Sequence, residues 1–290
     1  MYTFSNRLKI GSIILMAVGL LGIVGGFVMA PATVEEAKAM VAMHDEGHSE
    51  DASHATGAHD EAHDASHDEH LLHQLQNKPW AALYVAAFFF MMISLGVLAF
   101  YAIQRAAQAG WSPLLFRVME GITAYLVPGG IIVFVILLLS TLHMNHLFVW
   151  MDADVVAHDE IIQAKSGYLN PTFFLIRAAV FLAGWIAYRE YSRKLSLRQD
   201  ESDDDSSFKL NFRISAGFLV FYLITESIMS WDWIMSVDPH WFSTLFGWYI
   251  FASMFVSGIT VIAMFTIYLK SKGYLTDVND SHIHDLAKFM

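Results

Sequence analysis

Cysteine is absent from this chain of 290 residues. Its absence excludes disulfides, Cys-ligated iron–sulfur clusters, haem attachment through C-x-x-C-H, and thiol catalysis. Charge is also scarce: 16% of residues are Asp, Glu, Lys or Arg, against about 25% in soluble domains. Metal-ligand spacing is missing too. Eight histidines fall between His44 and His73, but without the fixed intervals of a built site, so they read as a solvated loop with adventitious metal affinity.

Apolar residues make up 56% of the chain, mean hydropathy is +0.44, and they fall in long blocks. The class is therefore an all-α integral membrane protein with six transmembrane helices in a bundle. The net charge of −11 lies largely in segments 44–69 and 200–205. It is loop chemistry, and no nucleic acid partner is expected.

Residues 1–30 form the first transmembrane helix. Its run from Ile10 to Ala30 is longer than a signal-peptide core, so it is expected to stay in the membrane although Ala30-Pro31-Ala32 resembles a cleavage box. Residues 31–78 form a His/Asp/Glu-rich extracytoplasmic loop, with a short helix at Val34–Met43 and the remainder disordered. Residues 79–270 form a five-helix bundle with spans at about 80–103, 118–148, 171–191, 212–235 and 244–270. Pro128-Gly129-Gly130 predicts a kink in the third span. Residues 271–290 are a cytoplasmic tail or the start of a further helix, and the sequence is expected to be incomplete at its C-terminus.

Basic residues fix the orientation. The N-terminus and the second, fourth and sixth loops hold Arg7, Lys9, Arg105, Arg117, Arg189, Arg193, Lys194, Arg198, Arg213, Lys270 and Lys272. The alternate loops hold only Lys38, Lys78 and Lys165. The positive-inside rule places the N-terminus in the cytoplasm and the histidine loop outside.

Ionisable residues inside spans are functional candidates by default. Arg177 lies about 9 Å and Glu226 about 14 Å below the outer face at ~1.5 Å per residue, so the two are expected to pair. His143 and His146 should share a helical face at i and i+3. Candidates for proton acceptance are Glu226, Asp232, Asp238, His143 and Asp152, with Arg177 as electrostatic partner. Glu120, with Ser140 and Thr141 on the same span, could line a proton path. A divalent-metal transporter using the histidine loop and a purely structural scaffold are the competing classes.

The block Ser230-Trp231-Asp232-Trp233-Ile234-Met235-Ser236-Val237-Asp238-Pro239-His240-Trp241, continuing to Gly247, joins Lys165-Ser166-Gly167-Tyr168-Leu169-Asn170 ahead of Arg177. With these motifs the chain resembles, over roughly residues 80–290, the ActF-type membrane subunits of bacterial alternative complex III. These belong to the NrfD-like polysulfide-reductase superfamily. The resemblance implies a helical subunit of a quinol:cytochrome c oxidoreductase in the bacterial inner membrane, with no covalently bound cofactor. It implies iron–sulfur and haem c subunits as partners, and contact with the quinone pool. Quinone or quinol would be the non-covalent ligand, and the resemblance makes His143, His240 and Trp233 its candidate contacts. Such subunits carry more helices than the six read here, so the chain departs from them by being short.

Overall fold

The structure, a computed structural model, describes residues 5–45 and 61–290. Among the described residues it is all-helical, 81% helix with no strand. Six helices are long and apolar enough to cross a membrane: Asn6–Val28, Leu71–Ala106, Ser112–Thr141, Pro171–Asp200, Ser206–Val237 and Phe246–Ser271. The chain is a multi-pass membrane protein.

It divides into two compact units. Unit 1 comprises residues 1–85 and 144–147. Its first helix, α1 (Asn6–Val28), is capped by the Ser5 side chain, which accepts from the Leu8 amide. This helix is apolar all round, as a membrane span must be. A turn at Met29–Thr33 leads into α2 (Val34–Asp45), whose first turn carries Glu35 and Glu36, favourable at a helix N-terminus. The expected short helix is therefore present.

The polar stretch before the second span departs from the disorder expected of it. Residues 61–78 are helical and belong to α3 (Glu61–Ala106), which runs on into that span. Pro79 within it marks where the polar stretch becomes apolar. Only residues 46–60 of the expected disordered segment lie outside the described residues. Lys38 pairs with Asp68 at 2.5 Å, Gln76 donates to the Pro31 carbonyl, and Phe27 meets Trp80 edge-on at 4.8 Å.

Unit 2 comprises residues 86–143 and 148–290. The third span is segmented. A 3₁₀ turn at Ser112–Leu115 opens it, followed by α4 (Phe116–Ile122), a second 3₁₀ turn at Thr123–Tyr125, and α5 (Leu126–Thr141). The break thus falls one turn before Pro128. Proline has no N–H for the carbonyl four residues back, and the tighter turn instead pairs the Leu126 amide with the Thr123 carbonyl. This span ends at Thr141 and not at Phe148: Leu142 and His143 close the helix, His143 with φ +57°.

Short α6 (Ala153–His158) and α7 (Glu160–Lys165) come next, capped by Asp152 and Asp159. Asn170 caps α8 (Pro171–Asp200), with Pro171 at its first position, where a missing N–H costs nothing. α9 (Ser206–Trp233) returns antiparallel to α8 and ends in a 3₁₀ turn at Met235–Val237. α10 (Phe246–Ser271) completes the spans. α8 packs on α9 and α5, and α9 packs on α10.

α10 approaches α3 so closely that a Cβ on Gly96 would lie 2.3 Å from the Met254 carbonyl oxygen. On the other helix, a Cβ on Gly258 would lie 3.0 Å from the Val97 nitrogen. Small residues are what permit such contacts between membrane helices.

The C-terminal segment forms a further short helix. α11 (Asp280–Ala287) is amphipathic and opens with a capping box formed by Asn279 and His282. It buries Leu286 against a cluster that includes Val97, Phe100, Leu115, Met119 and Ile262.

Candidate functional site

The sequence block that carries the resemblance folds into one end of the α8–α9 pair. Arg177 and Asp232 are both buried, at 7% and 0% exposure. They form a two-pronged ion pair: Nε donates to Oδ2 at 2.5 Å and Nη2 to Oδ1 at 3.1 Å. Tyr168 donates its hydroxyl to Oδ1 at 2.7 Å, and its carbonyl accepts from Arg177 Nη1 at 3.2 Å. The guanidinium also sits over the Tyr168 and Phe173 rings, 4.1 and 4.3 Å from their centroids. Burial, then the Asp232 charge, push the Tyr168 phenol above its ordinary range, so it stays a donor. Ser236 continues the set, donating to the Asp232 carbonyl and accepting from Trp150 Nε1.

Arg177 therefore pairs with Asp232 and not with Glu226. Helical side chains lean toward their helix N-terminus. At this end α8 begins and α9 finishes, so Arg177 leans outward to the rim while Glu226 leans away from it. Similar depth along the axes did not translate into contact.

Glu226 stands apart. It is 2% exposed, its Oε1 has no hydrogen-bond partner, and Oε2 has only the neighbouring Ser227 hydroxyl at 3.5 Å. A buried carboxyl with an open oxygen in a membrane helix is costly. It is the unsatisfied carboxyl of this end.

The remaining predicted residues scatter. Asp238 is exposed and accepts from the His240 amide. The His240 ring meets Asp159 at 2.5 Å, and Lys165 donates to the Pro239 carbonyl. These contacts tie the 238–241 turn to α7. The Ile162 amide is the main cause holding the Asp159 carboxyl below its ordinary range; burial opposes it and His240 reinforces it. Asp152 caps α6 by accepting from the Asp154 amide. Trp233 is fully buried, packed in the core against Phe88, Phe181 and Trp185. His143 is exposed at the C-terminal turn of α5. His146 is not on its helical face; it lies beyond the helix, in unit 1, stacked on His73 at 4.2 Å.

A second buried network lies at the opposite end of α8 and α9. Arg105 donates to Tyr101 and to Ser196, Tyr101 donates to Glu120, and Arg117 bonds Glu120. Ser192 joins Tyr101 to Asn211, and Tyr188 meets Ser215. The sequence placed Arg105 and Arg117 beside a loop; Arg105 in fact is buried. The signal that could have found this network was Glu120 inside an apolar run with arginines at its margin. Between the two ends, Phe218 stacks on Tyr188 at 3.8 Å and Phe181 lies against Trp185. Those rings interrupt the polar groups.

Among the described residues, no three His, Asp or Glu side chains gather where a metal could sit. A scan of protein-family models found no match to this chain, and a search of curated proteins found none either.

Proposed function

We propose that this chain is a membrane subunit of a quinol-oxidising respiratory complex of the bacterial inner membrane, one that handles protons and carries no redox centre of its own. Iron–sulfur and haem c subunits would receive the electrons. The N-terminus and the Arg105–Glu120 network would face the cytoplasm, with the Arg177–Asp232 end outward, in line with the asymmetry of basic residues.

The observation that carries this reading is the open carboxyl oxygen of Glu226, buried on α9 six residues before Asp232. Quinol oxidation releases two protons, and a base must accept a hydrogen bond from the hydroxyl that loses each one. Glu226 supplies an acceptor oxygen that no other side chain bonds. Arg177 and Asp232 satisfy one another, so their part is to fix the rim beside it. That self-sufficiency is also what favours the second reading, a scaffold subunit.

Replacement of Glu226 by Gln separates them. In the complex purified with its native partners, the proton-handling reading expects quinol-dependent turnover and proton release to fall about 10²-fold or more, as for loss of a general base. Unchanged turnover and unchanged release would leave the scaffold.

A further inference from the structure

Unit 1 has a half-open cavity of about 550 Å³ where α1, α2 and α3 converge. Gly26, Met29, Ala30 and Pro31 line it from α1 and the turn after it, Met40 and Val41 from α2, and Leu75, Lys78 and Pro79 from α3. This size suits a small amphiphile, since ligand pockets run about 300–1,000 Å³. The walls are fixed by the Lys38–Asp68 pair and by the bond from Gln76 to the Pro31 carbonyl.

Lys78 is the one ionisable residue in this lining, and among the described residues it has no ion pair. Of the acids on α2 and α3, Asp68 is taken up by Lys38, and Glu36 accepts from the Ala32 amide. The cavity also sits at a definite level. The apolar run of α1 ends at it, and the apolar run of α3 begins at Pro79–Trp80. With α1 and α3 read as membrane spans, that level corresponds to the membrane–water boundary, and Trp80 there meets Phe27 edge-on.

We propose that this cavity is a site for an anionic phospholipid, with an acyl chain among the apolar walls and the phosphate on the Lys78 ammonium. A lone cation at the mouth of an apolar cavity at headgroup depth favours an anionic amphiphile over a neutral one. The site stands apart from the reading of Glu226 and does not depend on it.

Native mass spectrometry of the detergent-purified protein with its native partners tests this. With phosphatidylglycerol or phosphatidylcholine added, the wild-type protein is expected to retain one phosphatidylglycerol and to release phosphatidylcholine. Lys78→Gln is expected to lower retention about tenfold, the loss of one charge-assisted hydrogen bond. Val41→Trp, which puts a bulky ring into the lining and leaves the Lys78 side chain in place, is expected to lower it as well, while Lys272→Gln leaves it unchanged. Equal retention of the two lipids by the wild type would overturn the proposal. So would retention by Lys78→Gln at the wild-type level, with its helical content intact.

Discussion

A guanidinium and a carboxylate buried together in a membrane bundle are held less by their charges than by how completely each is satisfied. Arg177 has Asp232, the Tyr168 carbonyl and two rings around it. Asp232 has Arg177 and the Tyr168 hydroxyl. Removing one partner strands the other, which typically costs about 3–5 kcal/mol, whereas replacing both with apolar groups of similar volume is often neutral. Arg177→Met and Asp232→Leu should therefore each lower the thermal transition of the purified protein sharply, and the double variant should recover much of the loss. Additive losses would show that the two side chains are not coupled and would overturn this account of the pair. Tyr168→Phe should cost about 1 kcal/mol, one hydrogen bond to a group that keeps its arginine. Depth along the two helices suggested Glu226 as the arginine's partner, and side-chain lean decided otherwise; reading it required the direction of each helix at the rim as well as its depth.

At the scale of elements, the spans were plain in the sequence and their packing was not. In a membrane both the lipid-facing and the core-facing sides of a helix are apolar, so hydropathy marks its length and hides its register. Hydropathy also placed the start of the second span at Trp80, because the helix continues outward through His73 and Gln74 on polar residues. Where a polar residue has one clear local task, the sequence is more informative: Asp152, Asp159, Asn170 and Asn279 all precede helices and all cap them. Asp159 combines capping with the contact to His240, and its carboxyl is held below the ordinary range. A group depressed in this way contributes stability that is present above its unfolded value, about 3.9, and is lost as pH falls through the lower folded value. Protection of the Ile161 and Ile162 amides, taken relative to the intrinsic exchange rate at each pH, should therefore fall below about pH 4. In Asp159→Asn that acid-induced step should vanish; its persistence would assign the opening to another carboxylate.

For the molecule as a whole, the two ends of the α8–α9 pair divide the polar chemistry. One end holds Arg177, Asp232 and Glu226; the other holds Arg105, Tyr101, Glu120 and Ser192; aromatic rings lie between. Which end faces the cytoplasm decides whether Glu226 meets substrates and protons from outside or inside the cell, so topology bears directly on function. The basic residues at 189–213 argue that the Arg105–Glu120 end is inside, since translocating lysine and arginine is disfavoured for short loops. The lack of native cysteine makes the test clean, because a single introduced thiol is the only one to label. Asp203 and Thr244 are exposed and lie at opposite ends of α9 and α10. Thr244→Cys should react with a membrane-impermeant maleimide in intact cells, and Asp203→Cys only after the membrane is opened. The reverse pattern would turn the bundle over. Glu226 would then lie near the cytoplasmic surface, and proton release to the outside could not begin there.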